Sequence, residues 1–563
     1  MPAARTARSL CLLVLGVAST SSFAQPADCA TAGFIDRADI RGLGLAEVDT
    51  QGVDVSVYGF AEYPATCVSD DTIFEAASLT KPVVAYLVMR LVDKGRLGLD
   101  DVLIERLPSL PLPKDDPRSG EVTVRMALAH STGLDGPDDR ELRFADDPGT
   151  RFEYYPAGYR LVQRILEHIE GESLEAIAQR EVFEPLGMSS SSLVFREDLL
   201  DRVATRHRML GDAFQRDRDP DRPANAAASL ITTPRDYGLF LRAMLNAEGL
   251  SARSRDAMLT PQIDVPDTSG AVAWGVGWGL EPARGTFFHW GDDGAAKSFA
   301  IGALDEDRAT VYFANSYYGM AIAGEISGRL IPGESPAVEW LGYAAWDDPK
   351  RLARRDTLRA FVDGDADLGM ETFERYGREY PELDMENLAS FQTWVLDGRE
   401  KHEGRARLLA WQIERNPESV DLYLEQARSL RALGDLPSAM EAVRRARPFA
   451  GEDAAPRIDA RLAWVQDEVL AEQSGGNEPA PDASLLAGSY ETWRVFSEDD
   501  RLVFQPGEGR KYTLRWMHGT TFALEEIDWF RLRFVIEDGR ASRLIGRYSD
   551  GRTDESERSG DPG

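Results

Sequence analysis

Ser78, two spacers and Lys81 open an apolar run in 75-EAASLTKPVVAYLVMRLVDKG-95. Val83, Val84, Leu87, Val88 and Leu91 recur at helical spacing, and Gly95 marks the stop. Pro82 fits the first turn of a helix, where a missing N–H costs little. The serine therefore sits at a helix mouth, and the lysine one turn later on the same face. Backbone N–H groups at a helix start favour a developing negative charge. A serine hydroxyl is a poor nucleophile until a base takes its proton. A neutral lysine can be that base, provided burial or nearby positive charge lowers its pKa from about 10.4. The chain holds seven lysines against 57 arginines, so lysine is scarce. An S-x-x-K spacing alone is still common by chance, and a lysine snorkelling from a core helix is the competing reading.

The elements that must position this pair fall into three regions. The 563 residues are enough for more than one domain. Residues 25–345 mix strand-like and helix-like segments and carry the serine and lysine. Residues 350–473 read as helical hairpins, 474–483 (SGGNEPAPDA) as a linker, and 484–555 as short alternating strands. Residues 556–563 read as a disordered tail. In the helical region Gly364-Asp365, Gly398-Arg399 and Gly434-Asp435 recur at spacings of 34 and 36. The clearest unit is 417–448, with Leu422, Ala427, Leu430 and Leu433 on one face and Ala439, Ala442, Val443 and Ala446 on the next. This resembles the tetratricopeptide repeat, a stacked helical hairpin, and a generic hairpin array is the alternative. Either could present a groove to a protein or peptide partner. The last region reads as a small antiparallel β domain, an open sheet or a partly closed barrel, and its role as structural or accessory packing because nothing in it looks catalytic.

The net charge of −31 argues against nucleic acid, since no basic stripe can offset a phosphate backbone. Residues 1–24 read as a signal peptide: Arg5 and Arg8, then LCLLVLGVA, then Ser22-Phe23-Ala24 as the cleavage site. The apolar run is too short to span a bilayer, so the expected product is secreted or periplasmic, with no transmembrane segment in the mature chain. Cys29 and Cys67 remain after cleavage, and either a disulfide or two separate thiols fits the sequence. The histidines show no metal-ligand spacing, and no phosphate-binding loop is evident, so neither metal nor cofactor is expected.

Further segments stand beside the Ser78 helix in a recognisable order: 127-ALAHSTGL-134, 148-PGTRFEYYPAGYRLVQ-163, 229-SLITTPRDYGLFLRAML-245 and 274-WGVGWGLEPARGTFFHWGDDGAAKSFAIGAL-304. With them, residues 40–320 resemble the serine β-lactamases and penicillin-binding-protein-like hydrolases, in the class C, D-peptidase and esterase branch. That resemblance implies an antiparallel sheet with flanking helices and a helical subdomain. It implies three motifs: S-x-x-K at Ser78 and Lys81, a Tyr-led triplet at Tyr154-Tyr155-Pro156, and a K-T-G-like triplet at His289-Trp290-Gly291. It makes Ser78 the acylated nucleophile, Lys81 its proton acceptor and Tyr154 a proton carrier to the leaving group. The oxyanion donors would be the backbone N–H groups of Ser78 and Asp292. Substrate contacts would come from Tyr155, Pro156, Gly291 and Asp292.

Two departures qualify the resemblance. Pro156 stands where the family has Asn, whose side-chain amide orients acyl-amide substrates. His289 replaces the K-T-G lysine, and an imidazole near 6.5 would lose its charge around neutrality, weakening its help to Tyr154 and to a substrate carboxylate as pH rises. The implied function is an exported serine hydrolase acting on esters, small amides or D-amino-acid peptides through an acyl-enzyme. The other reading is a hydrolase-like binding protein of weak or no turnover, whose helical repeats recruit a partner.

Overall fold

The computed structural model describes residues 29–30, 33–214, 218–474 and 479–560. The expected signal segment 1–24 lies outside the described residues. The chain divides into two compact units, Met1–Asp347 and Asp348–Gly563.

The first unit is built on a nine-stranded antiparallel sheet. Its spatial order runs Ile263–Asp264, Ala273–Trp274, Gly279–Glu281, Thr286–Asp293, Ala296–Ala303, Arg308–Ala314, Gly42–Asp49, Val53–Glu62 and Thr66–Cys67. The central strand Ala296–Ala303 is buried along its whole length. Both faces of the sheet are therefore covered, and successive side chains enter two different cores. Ala300, Val311 and Phe313 face one core, together with Val83 and Leu87 of helix Thr80–Asp93 and Phe240 and Leu241 of helix Pro234–Asn246. Phe299, Ile301 and Tyr312 face the other, with Ile322 and Ile326. Helix Thr80–Asp93 is buried at eleven of its fourteen residues, so it runs through the interior rather than along the surface. Cys29 and Cys67 are joined in a disulfide, and the Gly59 N–H donates to the Ala30 carbonyl 2.7 Å away. These two links pin the N-terminal arm to the sheet edge.

The second unit begins with seven α-helices between Pro349 and Ser474. Consecutive helices pack on one another except at Ala366–Glu379, which packs on Pro349–Val362 and His402–Arg415 rather than on the helix that follows it, Met385–Asp397. The two Gly-Asp pairs have a clear local cause. Gly364 and Gly434 take positive φ (94° and 76°), which glycine adopts without a Cβ penalty. Asp365 and Asp435 then cap the next helix, accepting from the N–H of Leu368 and Ser438. Gly398 instead keeps a helical φ, and Glu400 makes the left-handed turn. In the hairpin around 417–448, Ala439, Ala442, Val443 and Ala446 are buried as expected, but Leu433 is 47% exposed. Tyr423 takes a core place instead, because Leu433 lies at the helix end beyond the packed face.

The second unit closes with eight antiparallel strands from Gly488 to Gly560, which form a complete barrel. The expected disordered tail at 556–563 is corrected over 556–560, and 561–563 lie outside the described residues. Strand Thr553–Gly560 pairs with Arg540–Tyr548 on one side and with Gly488–Tyr490 on the other. Its sequence, TDESERSG, is polar because only Ser556 is buried; backbone pairing, not side-chain burial, holds it. The expected linker also shortens, since Ser474 ends one helix and Ala483 begins a short one.

Candidate active site

Strand Phe74–Ala77 delivers Ser78 to the start of its helix. Ala77 adopts φ 47°, a left-handed conformation that costs a non-glycine residue about 1–3 kcal/mol and persists only where surroundings impose it. Those surroundings are explicit. The Thr80 hydroxyl donates to the Ala77 carbonyl at 2.7 Å and accepts from the Leu230 N–H at 2.9 Å. The Tyr237 hydroxyl donates to the Leu79 carbonyl at 3.1 Å. Lys81 then comes round one turn later, its Nζ 2.9 Å from Ser78 Oγ and 2.8 Å from the Ala227 carbonyl oxygen. The loop carrying Ala227 is itself fixed, because Gln163 Oε1 accepts from the Ala226 N–H at 2.9 Å.

Lys81 is completely enclosed, and no carboxylate pairs with it among the described residues. Burial lowers its pKa from 10.5 to about 7, and the guanidinium of Arg160 pushes the same way. Arg160 is held in place by Asp139, with Nε 2.8 Å from each carboxylate oxygen. A neutral amine keeps a lone pair. Donating one N–H to the Ala227 carbonyl, it can accept the serine hydroxyl proton with the other side of the nitrogen.

Tyr154 stands over this pair, with Lys81 Nζ 4.9 Å from its ring centroid. Burial raises the phenol pKa, and nearby Ser78 moderates that rise. The group is therefore a neutral phenol at neutral pH, able to give a proton rather than to act as phenolate. Its hydroxyl is buried without a completed hydrogen bond among the described residues. Tyr155 and Tyr159 differ, since their hydroxyls donate to the Gly136 carbonyl at 2.6 Å and the Leu128 carbonyl at 3.0 Å. Pro156 immediately precedes helix Ala157–Glu170 and offers no side-chain amide.

Strand Thr286–Asp293 forms the facing wall. Its first three residues pair with Gly279–Glu281, but His289 to Asp293 pair only with Ala296–Ala300 on the other side. Gly291 is required by contact: a Cβ there would lie 2.2 Å from the Ala76 carbonyl oxygen and 2.3 Å from Ser298 Oγ. Ser298 donates to that same carbonyl at 2.8 Å. Asp292 accepts from the Tyr343 hydroxyl at 2.5 Å and pairs with Lys297. Arg206 ties the two walls together, reaching Glu75 Oε1 at 2.7 Å and Asp293 Oδ2 at 2.8 Å.

His289 departs from the sequence expectation. It is fully buried, with Nδ1 2.8 Å from the Trp290 carbonyl oxygen. Burial and the neighbouring Lys81 lower its pKa to about 3 rather than leaving it near 6.5. It stays uncharged across the neutral range, so titration there belongs to Lys81.

Sequence reasoning overlooked His130, which was visible only as one letter of 127-ALAHSTGL-134. The structure brings its ring to 4.4 Å from Tyr154 and 5.5 Å from Trp274. A cavity of about 250 Å³ is lined by Ala77, the residue before the serine, with Phe195, Asn225, Leu230 and Asp292. Among the described residues, no cluster of three or more His, Cys, Asp or Glu could hold a metal ion, and no helix is long and apolar enough to cross a membrane.

Penicillin-binding protein 4 of Amycolatopsis lactamdurans is 30% identical over 310 residues, covering 47% of this chain and 80% of that protein. Unguisins hydrolase ungD of Aspergillus violaceofuscus is 28% identical over 258 residues, covering 38% of this chain and 43% of that protein. Lovastatin esterase of Penicillium rubens is 26% identical over 262 residues, covering 38% of this chain and 62% of that protein. The chain thus spans less than two thirds of the last two relatives. The family model described as Beta-lactamase matches residues 28–328. That match takes in the serine helix, the tyrosine loop and the His289 strand together, and the chain belongs to the Beta-lactamase family.

Proposed function

We propose that this chain is a serine hydrolase that works through an acyl-enzyme on Ser78, with esters as its best substrates and small amides or D-amino-acid peptides next. One observation carries the reading: a fully enclosed lysine of pKa about 7 sits 2.9 Å from a serine hydroxyl. In the first half-reaction, Ser78 Oγ attacks the carbonyl carbon as its proton passes to Lys81 Nζ. The negative charge gathers on the carbonyl oxygen, for which the Ser78 and Asp292 backbone N–H groups are the intended donors. The C–O bond to the leaving alcohol then breaks, and the proton returns to that alcohol through Tyr154. In the second half-reaction, water gives a proton to the same groups as it attacks the acyl carbon, the Ser78 Oγ–acyl bond breaks, the proton returns to Oγ, and the acid leaves.

Esters are favoured for two reasons. Pro156 supplies no amide to orient an acyl-amide side chain, and an alkoxide leaves more readily than an amine anion. The uncharged His289 also offers no cation for a substrate carboxylate. The name of one relative, an esterase, points the same way. The Cys29–Cys67 bridge supports export to an oxidising compartment.

The test is a panel of p-nitrophenyl esters, D-aminoacyl anilides and nitrocefin, with Ser78→Ala as the blank. Ester turnover that disappears in the blank supports the reading. Turnover unchanged in Ser78→Ala, or none with any substrate, refutes it.

A further inference from the structure

We propose that His130 is a positioning residue of this site, holding the Tyr154 phenol over Ser78 and Lys81. The proposal rests on the hydrolase reading above. Three tyrosines lie between 154 and 159, and two are anchored by their own hydroxyls on backbone carbonyls. Tyr154 has no such anchor among the described residues. A phenol that must exchange protons cannot spend its hydroxyl on a structural bond, so its aim has to be set by the ring.

The ring lies in an aromatic slot. His130 approaches it at 4.4 Å with planes tilted 30°, and Trp290 at 4.7 Å tilted 34°. Trp274 meets it edge-on at 5.9 Å. His130 is also the clip between two loops. Its carbonyl accepts from the Glu153 N–H at 2.8 Å, and its Nδ1 lies 3.3 Å from the Tyr155 nitrogen. One residue therefore fixes the backbone on both sides of Tyr154 and packs on its ring.

The conformation of His130 is itself specified. Its φ of 55° lies in the left-handed region, where histidine is several-fold enriched among non-glycine residues. Its side chain is buried beside Phe152, Tyr159 and Trp274. Burial lowers the imidazole pKa well below 6.5, Lys81 and His289 push the same way, and the two phenols that face the ring, Tyr154 and Tyr159, stay neutral, so the imidazole is uncharged. His130 thus adds no charge that would compete with the amine. It acts through shape and through its hold on the tyrosine loop.

The experiment is a double-mutant cycle on Ser78-dependent ester hydrolysis. His130→Ala is expected to lower kcat by about 10- to 100-fold while KM stays near the parent value, as misplacement of a reacting group predicts. In a Tyr154→Phe background the same substitution is expected to change kcat by no more than about twofold, because the group it positions is already gone. His130→Asn tolerates the same backbone and keeps a polar atom toward Tyr155 while removing the ring. It carries the cycle if His130→Ala does not fold. Losses that multiply in the double variant overturn the proposal while leaving the hydrolase reading intact. Absence of Ser78-dependent turnover in the parent overturns both.

Discussion

Raising the pH from 6 to 8 should switch Ser78 on through Lys81. Only the neutral amine can take the serine proton, so rate should follow the deprotonated fraction. With a pKa of about 7, that fraction is roughly a tenth at pH 6, about half at pH 7 and about nine-tenths at pH 8. A lysine at its ordinary value would be neutral in fewer than about one molecule in a thousand at pH 7. The structure supplies the difference: enclosure of the amine and the charge of Arg160 together disfavour protonation by about 5 kcal/mol. The assay is the second-order rate of Ser78 modification by an activated phosphonate, read by intact mass from pH 5.5 to 9. The expected curve rises about tenfold between pH 6 and 8 and then levels. His289 adds no inflection in this range, since it is already neutral above about pH 4. A rate that keeps climbing tenfold per unit to pH 9 would show an ordinary lysine. A flat curve, or one unchanged in Lys81→Ala, would remove the lysine from the reaction altogether.

Four further outcomes follow from the same contacts. Arg160→Gln removes a positive charge that depresses Lys81, so the midpoint of the rate curve should move upward by part of a pH unit. Lys81→Met should abolish activity yet raise the melting temperature by a few degrees at pH 7. The unfolded chain binds more protons than the folded one between pH 7 and 10.5, so the parent's deficit shrinks as pH rises and the gain of the variant should shrink with it. Gly291→Ala drives a methyl group into the Ala76 carbonyl, and should cost about 1–3 kcal/mol of stability and at least tenfold in kcat. A variant with parental kcat would mean the strand can withdraw from the serine without consequence. Cys67→Ser opens a bridge spanning 38 residues and should lower stability by about 4 kcal/mol in a chemical denaturation curve. Reducing agent should have no further effect on that variant.

The serine and lysine were legible in the sequence because their relation is local. Three residues along a helix always bring two side chains to one face, and the apolar run of Val83 to Leu91 announces that helix. The alternating strands after residue 484 and the hairpins before it were legible for the same reason: periodicity reports on the element that contains it. The strand that completes the barrel was not. The polar TDESERSG stretch has no apolar alternation to reveal a strand, and only its two neighbours in the sheet make it one.

The chemistry of the site depended still more on distant partners. Nothing around Lys81 in the chain predicts a pKa of about 7. That value comes from enclosure by elements far apart in sequence, with Ala227 and Arg160 brought to the amine. His289 illustrates the converse. Its residue type suggested a titration near neutrality, and its burial beside Lys81 removes it. His130 gave no signal of its own, because its importance lies in the ring it meets across 24 residues of chain. The sequence by itself determined which groups could react and the helix that pairs two of them. Tertiary structure decided their protonation, since the cost of charge depends on the solvent that folding excludes, and a chain of letters does not show where water will be.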